Sequence, residues 1–378
     1  MFTVILAERM KCYREANNSR RIRRFRPFDL PQPNKKEKME LFALTRALVD
    51  IESTTGKEKL VADFLVARLL PLAARHTGKL ERLAVAPDRE NIFVAFGEPA
   101  VTLSTHLDTV PPFFPSREDP DCLWGRGSCD AKGIVAAMVA AAETLLDSGV
   151  RNFALLFVVG EERDSLGAKS AARISSGSRF LINGEPTENK LAIGSKGALR
   201  YEITARGKLA HSAYPELGHS AIHTLLDVLQ EIRRIPLPVD SVLGPTTLNV
   251  GVIKGGRAPN VVADEASAEI MFRVVGDPAT LRAGVLAAAS KGADAREVLF
   301  TPAITLQSFD GLPTTVVAFT TDIPFFNGAW GKPFLIGPGS IHLAHTSEER
   351  IPKKELLDAV QIYTRMVKQL VTTGSAAS

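Results

Sequence analysis

From Phe153 to Val159 the run FALLFVV has no polar side chain. A strand this uniformly apolar is buried on both faces, so it needs a layer on each side, as in the middle of a parallel sheet. Shorter β-rich runs accompany it: Asn91–Phe96, Ala100–Ser104, Arg179–Ile182, Val316–Thr320 and Pro333–Ile336. Helical signals lie between them. Leu41, Leu44, Leu48 and Ile51 keep helical spacing, as do Leu60, Phe64, Leu65 and Leu69, so Met39–Ala73 reads as helix. Gly133–Leu146 is an alanine-rich helix, and Lys354–Val371 closes the chain with another. Strands alternating with helices predict an α/β domain with a mostly parallel central sheet and helices on both faces.

The texture changes after Gly194. Leu199–Ala205 alternates like a half-exposed strand, Ser220–Ile232 is helical, Thr247–Ile253 and Ala266–Val274 are extended, Pro278–Ala289 is helical and Glu297–Phe300 extended. The order β-α-β-β-α-β is the ferredoxin-like split motif. It predicts an inserted α+β domain with an open strand edge that could pair with a second copy. The expected division is 1–38 as a basic extension, 39–195 and 306–378 as the two parts of the first domain, and 196–305 as the insertion.

The chain has 378 residues and a formal net charge of only +4, so it is not built as a whole for nucleic acid. Its basic residues crowd the start: Arg20, Arg21, Arg23, Arg24, Arg26, Lys35, Lys36 and Lys38, among Pro27, Pro31 and Pro33. Such a segment buries little apolar surface, and the expectation is a disordered extension, or a start at Met39. The apolar stretch Phe2–Ala7 is too short for a signal-peptide core. No run approaches the roughly 20 apolar residues of a membrane span. The chain has 3 cysteines, an odd count that argues against a disulfide framework and makes the cytoplasm the expected compartment.

Polar clusters follow the buried-strand candidates: Ser104–Thr109 (STHLDT), Trp124–Asp130 (WGRGSCD), Val159–Glu162 (VGEE) and Asn183–Thr187 (NGEPT). His345, in GPGSIHLAHTSEE, follows the late strand. Ligands of open parallel sheets bind beyond the carboxyl ends of the strands, so these clusters are expected to meet at one rim. His106, Asp130, Glu162, Glu185 and His345 supply imidazole and carboxylate donors of the kind two zinc-type ions need, and a carboxylate can bridge the pair. Asp108, two residues beyond His106, can accept its other ring N–H. Glu161 and Glu162 are neighbours pointing apart, so one can bind metal while the other meets water.

The motifs STHLDTVP, WGRGSCDAKG, VVGEERDSLGA, NGEPT and GPGSIHLAHTSEE together resemble the co-catalytic zinc aminoacylase and carboxypeptidase family. That family includes acetylornithine deacetylase, succinyl-diaminopimelate desuccinylase and glutamate carboxypeptidase. The resemblance covers nearly everything after Met39. It implies a pair of Zn2+ ions (Co2+ or Mn2+ can occupy similar ligands), with Asp130 bridging, His106 and Glu185 on one ion, and His345 and Glu162 on the other. It also implies Glu161 as general acid/base, Asp108 as support for His106, and a cis peptide at Asp130-Ala131.

In the inserted lid, the resemblance makes His211 a residue that reaches a partner subunit's site and polarises the scissile carbonyl, so a homodimer through the lid is expected. Asn260 and Arg273 match substrate-binding residues, and a fixed guanidinium suits an α-carboxylate. Backbone N–H groups around Gly339 could also meet a carboxylate. The expected activity, as the resemblance implies, is removal of the acyl group from a small N-acyl amino acid, in the manner of an acetylornithine deacetylase acting on N-acetylornithine or N-acetyl-lysine. The alternatives are a succinyl-diaminopimelate desuccinylase, a zinc carboxypeptidase, or a metal-binding protein without turnover.

Overall fold

The computed structural model describes residues 34–174 and 176–373. In chain order these form α1 (Lys35–Val49), α2 (Lys59–Arg75), β1 (Lys79–Ala86), β2 (Arg89–Phe96), β3 (Val101–His106), α3 (Lys132–Asp147), β4 (Phe153–Val158), α4 (Leu166–Ala171), β5 (Phe180–Asn183) and β6 (Leu191–Ser195). A second set follows as β7 (Gly197–Arg206), α5 (Ala221–Ile232), β8 (Thr247–Gly255), β9 (Glu265–Val274), α6 (Ala279–Ala289) and β10 (Ala293–Thr301). The chain ends with β11 (Ile304–Thr305), β12 (Thr314–Val317), β13 (Lys332–Leu335) and α7 (Lys353–Thr372).

The central sheet is nine-stranded, in the order β1-β2-β4-β3-β5-β13-β6-β11, with β12 beside β6. The neighbours β4, β3, β5 and β13 run parallel. The flanking pairs β1–β2, β2–β4, β13–β6 and β11–β6 are antiparallel. The sheet expected to be mostly parallel is thus mixed, with parallel pairing in its centre and again between β12 and β6. The edge follows from burial: β1 alternates between exposed and half-buried residues, as an antiparallel outer strand can. Every residue of β4 is buried. Leu156 and Val158 pack with Ala168, Ala171, Phe326 and Trp330. The alternate side chains of β4 point to the opposite face, toward a second layer.

The stretch expected as one helix is two. Asp50–Glu58 leaves the helix, with Gly56 at φ +99°. Ser53 donates its hydroxyl to the Leu107 carbonyl at 2.7 Å, and Thr109 N–H donates to Ser53 O at 3.0 Å. Helical spacing marks which face is apolar on either side of a break, but not the break itself. The basic extension also ends earlier than expected: Lys35, Lys36 and Lys38 lie in the first turns of α1, behind an Asn34–Glu37 capping box. The rest of the 1–38 extension falls outside the described residues.

The insertion forms a four-stranded sheet, β8-β9-β7-β10, with every pair antiparallel. This is the ferredoxin-like order. Leu199, Tyr201, Ile203, Ile270 and Phe272 pack with Leu225 and Val228 of α5 and Leu281 and Val285 of α6. Alternate residues, including Arg200 and Arg273, stand on the other face. A small sheet pairs Arg350–Pro352 with Cys122–Trp124 and joins the late chain to the loop before α3.

Candidate metal centre

The four parallel strands release their chain ends at one rim. β3 ends in His106, β4 leads into Gly160-Glu161-Glu162, β5 into Gly184-Glu185, and β13 into Gly337 and the segment bearing His345. Main-chain bonds continue the ladder beyond the strands. Leu107 N–H donates to Val158 O at 2.8 Å, Gly184 N–H to Ser104 O at 2.8 Å and Ile336 N–H to Asn183 O at 3.1 Å.

Asp130 sits between two imidazoles. Its Oδ1 lies 2.8 Å from His106 Nε2, and its Oδ2 lies 3.4 Å from His345 Nε2. His345 Nε2 is also 2.9 Å from Glu162 Oε2. His106, Asp130 and Glu162 bring ligand atoms within 4.8 Å of one another. Glu185 is 3% exposed, and its Oε1 has no hydrogen-bond partner. The peptide Asp130-Ala131 is cis.

The electrostatics fit a cation site. Burial alone would push Asp130 up, but hydrogen bonds to His106 and His345 outweigh it and hold the carboxyl below its usual range. The His345 imidazole is pushed up to about 10 by Asp130 and Glu162. Burial holds the Glu185 carboxyl well above its usual range, with Asp130 adding repulsion. Desolvation and the charge of Glu185 do the same to Glu161, which keeps partial solvent access. Borderline nitrogen and hard oxygen donors, a shared carboxylate and an orphaned buried carboxylate oxygen are what divalent zinc-type ions require. Among the described residues, His106, Asp130 and Glu162 together could hold one such ion.

The nearest acceptor to His106 Nδ1 is the Asp108 main-chain carbonyl, at 2.9 Å, and the carboxylate oxygen is 3.6 Å away. At that distance the carboxylate acts on the ring through charge rather than a hydrogen bond. It also serves the neighbouring loop. Oδ1 accepts from Gly160 N–H at 2.9 Å and Glu161 N–H at 3.1 Å, and Oδ2 from Glu162 N–H at 3.2 Å and the Thr55 hydroxyl at 2.7 Å.

The Gly339 N–H donates to Glu355 Oε2 at 2.7 Å, so in this structure the carboxylate it meets is the protein's own. His211 and Asn260 are exposed neighbours: Ser212 N–H donates to Asn260 O at 3.0 Å, and His211 bridges Val261. Neither has a described contact with the Asp130 cluster. Arg273 is half-buried on β9, and among the described residues no acid pairs with it.

Sequence reasoning passed over Thr55, Asp322 and Arg200. Asp322 is 1% exposed, has an unpartnered Oδ1, and burial pushes its carboxyl up to about 7. Arg200, opposite Met271 in the register, is a diagonal neighbour of Arg273, and its buried Nε has no partner. Alternation along β7 placed Arg200 on the open face, but nothing in the sequence said that no acid would meet it.

The pattern of peptidase family M20/M25/M40 matches residues 102–369. A peptidase M20 domain-containing protein of Schizosaccharomyces pombe is 39% identical over 337 residues, covering 86% of this chain and 84% of that protein. A protein of Aspergillus terreus named a probable carboxypeptidase is 36% identical over 366 residues, covering 85% and 84%. Among solved structures, a tripeptidase from Staphylococcus aureus matches with a TM-score of 0.73 at 23% identity, over 88% of this chain and 98% of that one. An M20 family metallo-carboxypeptidase from Sulfolobus solfataricus matches with a TM-score of 0.71 at 16% identity, over 88% and 99%. At these identities the structural matches speak for the fold alone. The family pattern and the sequence relatives, found on a chain whose strand ends gather these acids and imidazoles, place it in peptidase family M20/M25/M40, metal-dependent hydrolases of amide bonds.

Proposed function

We propose that this chain uses two zinc ions to hydrolyse the amide bond next to a free α-carboxylate, as a carboxypeptidase acting on small peptides. The observation that carries the reading is Asp130 lying between His106 and His345, with Glu161 close by under the repulsion of Glu185. The curated relatives named probable carboxypeptidases support the substrate class. A second reading, deacylation of an N-acyl amino acid such as N-acetylornithine or N-acetyl-lysine, is favoured by the GPG-x-I-x-x-AH pattern at Gly337–His345.

When bound, the ions supply Lewis acidity, which polarises a carbonyl and brings the pKa of water down toward about 7. Glu161 takes the proton from the attacking water. The same carboxyl then passes that proton to the departing amine. Asp108 holds the Gly160–Glu162 turn so that Glu161 and Glu162 keep their separate directions. His211, supplied by a second copy across the lid, donates to the carbonyl oxygen as charge builds there. Arg273 receives the α-carboxylate in a planar fork. The working unit in this proposal is a cytoplasmic homodimer. Among the described residues, no helix is long and apolar enough to cross a membrane.

Elemental analysis combined with an assay panel tests this. The panel is a set of N-blocked dipeptides, N-acetylornithine, N-acetyl-lysine and succinyl-diaminopimelate. Zinc at two ions per chain and turnover of the blocked dipeptides are expected. Turnover of the acetylated amino acids alone would replace the carboxypeptidase reading with the deacylase one, and no hydrolysis by metal-loaded protein would end both.

A further inference from the structure

We infer that Glu349, clamped to Arg126, is the positioning residue that sets the distance between the two halves of the metal centre. The inference rests on the proposed pair of ions, but its evidence lies outside the ligand set.

Glu349 is 1% exposed, and it gathers four donors. Its Oε1 accepts main-chain N–H groups from Gly127 at 2.9 Å, Cys129 at 3.2 Å and Asp130 at 3.2 Å. Its Oε2 takes Nη1 of Arg126 at 2.5 Å. Gly125 N–H donates to the Glu349 main-chain carbonyl at 3.1 Å, and Arg350 pairs with Trp124 in the small sheet just beyond. Arg126 is itself 2% exposed, fixed by its Nε to Pro112 O at 3.2 Å and by the Phe114 ring beneath the guanidinium.

The consequence is mechanical. Glu349 closely follows His345 in the chain, and its carboxylate grips the turn that ends in Asp130. Asp130 in turn faces His106 with one oxygen and His345 with the other. Among the described residues, the side chain that accepts the main-chain N–H of Asp130 therefore belongs to the same segment as His345. A shift of the Glu349 carboxylate moves Asp130 relative to His345, and hence the separation of the two sets of ligands. Burying an ion pair brings little net stability over an apolar pair of the same volume, so stability alone does not account for it. Groups that orient ligands from behind commonly change metal affinity 10–100-fold when altered.

The test uses the full chain stripped of metal by a chelator, then titrated with Co2+ against a chromophoric competitor. Stepwise affinities, the ligand-field spectrum, circular dichroism and melting temperature are read together. Glu349→Asp keeps the charge but draws the carboxylate back from the turn, and Glu349→Gln keeps the shape without the charge. We expect folded variants with at least one Co2+ bound about 10–100-fold more weakly and an altered ligand-field spectrum. Two wild-type affinities and an unchanged spectrum, with only the melting temperature lowered, would make the clamp a simple staple and overturn the inference. If both Glu349 variants fail to fold, Arg126→Lys decides. It leaves Glu349 its main-chain donors but frees its other oxygen, so weakened Co2+ binding supports the inference and unchanged binding overturns it. Wild-type protein that binds fewer than two ions would overturn the metal reading along with this one.

Discussion

The Asp108 carboxylate stands 3.6 Å from Nδ1 of His106, and the oxygen that faces the ring also accepts the N–H groups of Gly160 and Glu161. One buried charge thus faces the imidazole that leads into the site and the turn that carries Glu161. Asp108→Ala would strip buried N–H groups of their acceptor, at about 1–3 kcal/mol for each group left unpaired. We expect a clear loss of melting temperature and a fall in kcat of about 10–100-fold. A variant that melts lower but keeps wild-type kcat would show that the turn holds its shape without this carboxylate.

Glu161→Gln separates proton transfer from metal binding. The amide occupies the same volume, and neither partner of Asp130 is changed. Metal content should therefore match the wild type, while kcat falls by about 10²–10⁴-fold, the usual contribution of a general base. KM should move little. Loss of zinc alongside activity would instead place Glu161 among the ligands.

The pH dependence of the metal-free protein follows from the crowded acids. Folding holds Glu161 and Glu185 well above the usual carboxylate range, Glu349 up to about 6 and Asp322 up to about 7, with burial the leading cause in each case. From about pH 5 to 7 the folded chain therefore binds more protons than the unfolded one, and stability falls as pH rises. Asp130 and Asp108 are depressed, so their contribution is complete once the pH passes the ordinary carboxylate range. His345, raised to about 10, adds to the loss only above the ordinary imidazole range. Calorimetry should show the metal-free melting temperature dropping from pH 5 to 7. Zn2+ should restore more of it at pH 7, where the cation replaces protons the acids have lost. A metal-free midpoint that climbed over that interval would contradict the sign.

What could be read from the sequence was what repeats locally. The uniform apolarity of Phe153–Val158 marked a strand covered on both sides, and polar residues just after the apolar runs marked the rim. What could not be read depended on partners far along the chain. Glu349 meets Asp130 across 219 positions, and no local pattern announces such a bond. The break after Val49 was hidden because apolar spacing continues on both sides, while the reason for the break, Thr55 reaching Asp108, lies in tertiary contact. The partner of Gly339 was hidden for the same reason: its N–H donates to Glu355, on α7, 16 positions further on.

The exposed position of His211 gives the last prediction. Its Nδ1 accepts Ala213 N–H at 3.1 Å, so the ring is oriented by its own loop with Nε2 left to face outward. If that nitrogen serves the site of a second copy, two inactive variants should complement each other. Glu161→Gln and His211→Ala would each be nearly silent alone. Mixed in equal amounts and allowed to exchange subunits, half of the dimers are hybrid, and each hybrid holds one site with an intact base and an intact partner histidine. Roughly a quarter of wild-type activity is then expected from a two-fold dimer. If His211 served its own subunit, every site in the hybrid would lack one group or the other. A mixture that exchanges subunits, as shown by mass, and stays inactive would place His211 in cis or outside the reaction.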